Sequence, residues 1–269
     1  MVGTKDHKIT RFMSLGLMLM FFYLPIVIMI VFSFNSTKSL THFNSFSMRW
    51  YEDLFRNREI MGAVQVSIGI ALISTVVSTI AGTLTAIGLV HSKKLVRNTM
   101  LQINNLPIMN PEIVTAIGLM LLFIAFKIPR GFITMLLAHI AFSIPYVILT
   151  ILPKLRKLDP NLADAAMDLG ATPFQALTKV IIPQITPSVI SAALLAFTMS
   201  FDDFVISYFV TGNGVKNISI LVYTMSKRIN PSVNALSTIM VAVVSVFLII
   251  INLVPVLRKN TSKKALGAQ

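Results

Sequence analysis

The apolar residues of this chain run in long blocks, and the polar residues gather in the short stretches between them. Six blocks stand out, at about 12–34, 63–90, 105–126, 131–152, 187–211 and 235–257. Each is long enough to cross a hydrocarbon core about 30 Å thick as a helix rising about 1.5 Å per residue. A barrel would instead need crossings of about ten residues with alternating polarity. The predicted fold class is all-α: a polytopic membrane protein of six transmembrane helices, forming one transmembrane domain over 1–269.

The first block follows Lys5, Lys8 and Arg11, as a signal peptide would. Its apolar run exceeds the usual 7–15 residues of such a leader and no A-x-A site follows, so it is expected to stay as an anchor. With the N-terminus inside, the inside segments 1–11, 91–104, 153–186 and the tail after 257 carry fourteen Lys and Arg, against nine in the outside loops. That bias places both termini in the cytoplasm. Trp50 and Tyr51 fall in the first outside loop beside Arg49, Glu52, Asp53, Arg56 and Arg58, which predicts a short helix at the membrane interface. Two blocks carry small residues every fourth position: Ser74, Ser78, Gly82 and Ala86, and Ser188, Ala192, Ala196 and Ser200. Such a stripe lets helix backbones approach closely, within this chain or against a second membrane subunit.

Composition agrees with a lipid bilayer as the surroundings. Of 269 residues 55% are hydrophobic and 12% charged, against about 45–50% and about 25% in soluble domains. Mean hydropathy is +0.80. The net charge of +13 forms no single basic face, which argues for cytoplasmic loops rather than for nucleic acid. With no cysteine, thiolate metal sites, disulfides and cysteine catalysis are excluded. The four histidines, His7, His42, His91 and His139, show no ligand spacing, and His139 is expected to be a packed, hydrogen-bonded residue. The sequence G-x-x-x-x-G-K-[ST], whose backbone cradles nucleotide phosphates, does not occur. Any ATP hydrolysis must therefore come from a separate protein, and the chain is not expected to be an enzyme.

The segment 153–186 is too polar to span and too long for a turn. Asp159 or Asn161 can cap a helix over about 161–169, Gly170 suits the left-handed position after it, and Thr172 with Pro173 can start a second helix that stops at Pro183. The result is a helix, glycine turn and helix held at the cytoplasmic face, a shape suited to a groove on a soluble partner.

Three carboxylates lie in apolar blocks, where each costs about 2.5–3.5 kcal/mol at a helix centre on insertion scales. Asp202 and Asp203 lie in the fifth block, and consecutive helix residues point about 100° apart. Asp203 continues the face from Ser200 to Ser207, while Asp202 faces the Thr198 and Ile206 side. Sequence alone leaves open which of them meets water, a cation or another subunit. Glu112 follows Pro107 and Pro111, which are expected to bend or interrupt the third helix and free carbonyls there. Carboxylates with Phe201, Phe204, Tyr208 and Phe209 nearby suit a cationic substrate, through charge and through aromatic faces.

The stretch Asp164-Ala165-Ala166, then Gly170 after three residues and Val180-Ile-Ile182-Pro183 after nine more, resembles the EAA motif of ABC importer permeases. In that family the first short helix is the coupling helix, which docks in a cleft of the ATPase. Asp164 stands where the pattern has Glu, with the same charge and a shorter reach. The stretches Met109–Val114, Asp164–Pro183, Ser200–Ser207 and Asn230–Ala235 further resemble the spermidine/putrescine importer permeases of the C-subunit kind, over nearly the whole chain. The resemblance implies a type I ABC importer permease fold in a bacterial cytoplasmic membrane. It implies ATPase coupling by Asp164, Ala165, Ala166, Asp168, Gly170 and Pro183, and a substrate path with Glu112, Asp202, Asp203 and Tyr208. It also implies a second homologous permease, two ATPase subunits that carry the ATP and Mg, and an extracytoplasmic substrate-binding protein. No cofactor is expected on this chain. The alternatives are an importer for another small solute and an ATP-independent carrier or channel.

Overall fold

Backbone in hydrocarbon has no water to bond to, so it must satisfy its own N–H and C=O groups, and the apolar blocks do so as helices. The computed structural model describes residues 4–39, 41–212, 214–226, 231–246 and 249. Among these residues the only extended pairing is an isolated bridge between Asn35 and Phe46. The chain divides into two units, Met1–Arg58 with Val222–Gln269, and Glu59–Leu221.

In the first unit, α1 (Thr4–Ser33) contains the first apolar block. Its portion Thr10–Ser33 is 24 residues long, and Phe12, Leu17 and Phe21 are exposed along it. The loop that follows is organised by Asn35. Its Nδ2 donates to the carbonyls of Ser39 (3.0 Å) and His42 (2.8 Å), and its Oδ1 accepts from the Asn44 amide at 3.0 Å. The expected short helix is α2 (Arg49–Arg56), with Trp50 and Leu54 buried. The Trp50 indole donates to the Asn35 carbonyl at 2.6 Å. The sixth block is seen as a 15-residue helix, Ser232–Val246. The rest of 235–257, except Ile249, lies outside the described residues, as does Asn230.

In the second unit, α3 (Arg58–His91) takes the whole second block. The third block is not one straight span. It divides into α4 (Lys94–Met109) and α5 (Glu112–Ala125), bent by 105° at the break. Asn110 is extended (φ −80°, ψ 144°) because the Pro111 ring excludes the helical region from the residue before it. Pro107 is accommodated inside α4, so only the second proline breaks the helix. Then come α6 (Phe132–Leu155), α7 (Leu162–Asp168) and α8 (Pro173–Ala176).

The helix after Thr172 does not stop at Pro183. It passes through a π turn, Leu177–Ile181, into α9 (Ile182–Asp202), and Pro173–Asp202 forms one apolar helix of 30 residues. Proline lacks an N–H and its ring collides with the carbonyl four residues back. The wider turn, with the Ile182 amide bonded to the Leu177 carbonyl, lets the chain continue. The fifth span ends at Asp202 rather than 211, and a separate α10 (Val205–Val210) follows, then α11 (Ile218–Ser226). Among the described residues four helices can cross a membrane by length and composition, or five if the bent pair counts as one.

Helix α6 is the axis of this unit. Its first half joins Ala116, Phe123, Ile206 and Val210 through Met135, Ala138 and Phe142. Its second half joins Ala86, Leu89, Ile185, Ala192 and Ala196 through Val147, Ile148 and Ile151. Both small-residue stripes serve packing inside this chain. A Cβ added at Gly82 would lie 2.5 Å from Val147 Cγ1, and Ser74 Oγ donates to Ser200 Oγ at 3.0 Å. Lipid is as apolar as leucine, so such close approach and hydrogen bonds hold the helices together.

Candidate functional site

Two candidate regions emerge, both within the Glu59–Leu221 unit. The first is the loop around α7. The Asn161 amide donates to Asp159 Oδ1 at 2.9 Å, so Asp159 shapes the start of the helix. Gly170 follows with φ +90°, and its amide and that of Ala171 bond back to the carbonyls of Met167 and Ala166. This closes the free carbonyls of the helix end. Thr172 Oγ1 accepts from the Gln175 amide at 3.3 Å while Gln175 Oε1 accepts from the Thr172 amide at 3.0 Å, a reciprocal cap on α8. No residue of α7 is buried, and Asp164, Ala165 and Asp168 are exposed. Leu169 (91% exposed) and Phe174 (72%) stand out of the turn as apolar projections.

The second region is a cavity of about 330 Å³ lined by Glu112, Phe142, Met199, Asp202, Asp203, Phe204 and Val205. It sits where two helices are interrupted. Glu112 is the first residue of α5, where the helix dipole favours a carboxylate, and it is exposed. Asp202 is the last residue of α9 and is also exposed. Tyr208, 47% exposed, has its ring 5.3 Å from that of Phe204.

Asp203 is placed differently from Asp202. It is 6% exposed, and its carboxylate accepts from the backbone amides of Ile206 (3.2 Å) and Ser207 (2.8 Å), covering the N-terminus of α10. His139 Nε2 lies 3.3 Å from Asp203 Oδ2 and 3.0 Å from Ser207 Oγ. Asn217 Nδ2 donates to the Asp203 carbonyl and to Ser207 Oγ, both at 2.9 Å. Ser219 Oγ donates to the Asp202 carbonyl at 3.2 Å. The break therefore leaves few polar groups orphaned: side chains from α6 and from the segment 217–219 satisfy them.

Asp203 does share the Ser200–Ser207 face, as its spacing predicts. Asp202 does not share a side with Ile206, which is fully buried, because the helix on which that pairing depends ends at Asp202. Sequence reasoning missed His139 and Asn217 as partners of Asp203. The available signal was three polar residues, Ser200, Asp203 and Ser207, on one face of an apolar block, which required polar partners from elsewhere.

Known proteins match this chain as a family, as sequence relatives and as solved structures. The family described as binding-protein-dependent transport system inner membrane component matches residues 78–261. The putrescine transport system permease protein PotI of Escherichia coli (strain K12) is 37% identical over 234 residues, which cover 84% of this chain and 83% of PotI. The spermidine/putrescine transport system permease protein PotC of Haemophilus influenzae is 37% identical over 241 residues, 89% of this chain and 93% of PotC. Among solved structures, a bacterial ABC transporter involved in the import of the acidic polysaccharide alginate superposes with a TM-score of 0.68, at 15% identity, over 92% of this chain and 94% of that one. A second structure of an alginate transporter, in complex with a periplasmic protein bound to an alginate pentasaccharide, gives a TM-score of 0.64. The fold is shared with those alginate transporters.

Proposed function

The chain belongs to the family of binding-protein-dependent transport system inner membrane components, and from that premise we propose that it passes polyamines through the cavity at Glu112 and Asp202. It is a multi-pass ABC importer permease and not an enzyme. The observation that carries the substrate reading is the pair of exposed carboxylates at two helix breaks around one cavity, with Phe142 and Phe204 in its wall. A polyamine is a flexible chain with ammonium groups at its ends. Carboxylates offset the loss of water around each ammonium, and aromatic faces add about 0.5–2 kcal/mol per contact. The relatives PotI and PotC carry putrescine or spermidine in their names, which supports the same cargo here.

In this reading an extracytoplasmic binding protein delivers the cargo and a second homologous permease completes the path. Two ATPase subunits, holding ATP and Mg, dock against α7 on the cytoplasmic side, where both termini also lie. Asp164, Ala165, Ala166 and Asp168 form the docked helix, Gly170 sets its turn, and Pro183 marks where the π turn passes motion into α9. Asp203 holds the helix break, and Tyr208 flanks the path beside Phe204.

The test is uptake of labelled putrescine and spermidine in cells deleted for the gene and restored with wild type, Asp202→Asn or Glu112→Gln. Rescue by wild type and poor rescue by both variants is expected. Unchanged uptake on deletion would remove polyamines as the cargo. Full rescue by both variants would remove the acidic path.

A further inference from the structure

Sequence gives His139 no partner within reach, yet its ring is the meeting point of four helices. Ser74 on α3 donates to Ser200 on α9 at 3.0 Å, and Ser200 Oγ lies 2.6 Å from His139 Nδ1. On the other side Nε2 lies 3.0 Å from Ser207 Oγ and 3.3 Å from Asp203 Oδ2. The imidazole is 2% exposed, as is Asn217 beyond it. A carboxylate only accepts, so a bare nitrogen lone pair facing Asp203 would be repelled. The proton facing Asp203 therefore belongs on Nε2, and in the neutral ring Nδ1 takes the Ser200 hydroxyl proton.

This arrangement fixes more than packing. Asp203 is the residue at which the backbone leaves helix (φ −61°, ψ 128°), and Asp202 is the residue before it. Whatever fixes Asp203 fixes where the Asp202 carboxylate stands in the cavity. Two backbone amides from α10 bond the Asp203 carboxylate, and α10 is a helix of only six residues. Ile206 and Val210 pack on α6, and the Thr134 hydroxyl donates to the Val210 carbonyl at 2.8 Å, but among the described contacts from α6 the imidazole is the one that faces the Asp203 carboxylate itself. We propose that His139 is a positioning residue for translocation: its Nε2–H holds Asp203, and through Asp203 sets Asp202 at the cargo path. The inference rests on the acidic-path reading above.

Two amide replacements separate the two sides of the ring. A glutamine places its amide near Nε2 and can still donate to Asp203 while losing Ser200. An asparagine places its amide near Nδ1 and can keep Ser200 while losing Asp203. The experiment uses the assembled transporter with its binding protein, and reads putrescine uptake and ATP hydrolysis on the same preparation. His139→Asn is expected to lower uptake about tenfold at saturating putrescine with ATP hydrolysis retained, the scale of losing a hydrogen bond to a charged group. His139→Gln is expected to restore uptake to within about threefold of wild type on the same scale. Equal uptake by the two variants would overturn the proposal, as would a loss confined to Gln.

Asp202→Asn is measured alongside. If it transports as wild type does, this inference falls, and if Glu112→Gln also transports as wild type does, the acidic path itself falls with it. If it is impaired while His139→Asn is not, the path stands and the positioning role falls. A second measurement needs no change at His139. In a His7→Gln, His42→Gln, His91→Gln background, nitrogen NMR of the one remaining histidine should show a proton on Nε2. A bare Nε2 would overturn the proposal.

Discussion

The loop around α7 and the cavity around Asp202 are built by opposite means. The loop is made by neighbours in sequence: Asp159 to Asn161, Gly170 to Met167, Thr172 to Gln175. Each contact follows from a residue type at a fixed offset. The cavity and its support come from places far apart in the chain: Glu112 on α5, His139 on α6, Asp202 and Asp203 at the end of α9, and Asn217 just before α11. The loop holds its shape although no residue of α7 is buried, because caps and a left-handed glycine depend little on their surroundings. The cavity holds its shape because α6 and the segment 217–219 anchor the break at Asp203 from outside it. A surface that must fit another protein can thus be specified locally, whereas a path that must change between two states depends on contacts that can be remade.

The sharpest way to break the comparison is Gly170→Val. Nothing lies within 4 Å of a Cβ at that position, so no side-chain clash contributes. Only the backbone objects, with φ at +90°, and a left-handed conformation costs about 1–2 kcal/mol even for an unbranched residue. The turn should open and α7 move, so uptake should fall more than tenfold while the permease still inserts. ATPase activity measured with uptake checks this: normal, coupled uptake would show that the loop is not shaped by its own sequence.

The two aspartates supply the next contrast. Asp202→Asn should lower uptake about tenfold and leave thermal stability unchanged, since the side chain is exposed. Asp203→Asn should do the reverse first, lowering the melting temperature of the purified permease. It weakens a buried group that accepts two backbone amides and faces His139, and breaking such a buried pair costs about 3–5 kcal/mol. If the two variants behave alike, the distinction between a cargo-facing and a structural carboxylate fails.

These contrasts also explain what was legible in sequence. Gly170, Thr172 and the limits of α7 were readable because each obeys a rule spanning a few residues. The helix break at Asn110–Pro111 was readable for the same reason. The end of the fifth span at Asp202 was not, because apolar residues continue past it and the contacts that stop it come from His139 and Asn217. Pro183 misled in the opposite direction. A proline normally ends a helix, and the π turn that rescues this one leaves no sequence signature. Periodicity found the faces, with Ser200, Asp203 and Ser207 all buried together, but not the partner.

Between these extremes lies the packing of α3 on α6. Gly82→Leu should destabilise the purified permease by about 1–3 kcal/mol, the usual cost of overfilling a packed interface. Val147 Cγ1 would stand 2.5 Å and its Cβ 2.8 Å from the new Cβ, and Val147 is itself fully buried and unable to turn aside. Gly88→Leu, with open space around it, should change stability little and serves as the control. A melting temperature equal in the two variants would mean that the small-residue stripe is not a close contact within the chain.

The smallest expected effect is at the reciprocal cap of α8. Thr172→Ala removes one bond of the pair and should cost about 1 kcal/mol locally. Both bonds are exposed, at 3.3 and 3.0 Å, so the loss should loosen the first turn without unfolding the loop. Faster amide hydrogen exchange over 174–177 would report it, with uptake reduced no more than about twofold on that energy scale. Gln175→Ala removes the other bond and should give a similar change. If the two side chains act as one device, the double variant should cost less than the two single variants added together, because each bond holds its partner's side chain in place for the other. Strict additivity would mean that two independent bonds start the helix. The local character of the loop would then rest on Gly170 and Pro173 alone, whose backbone angles do not depend on any partner.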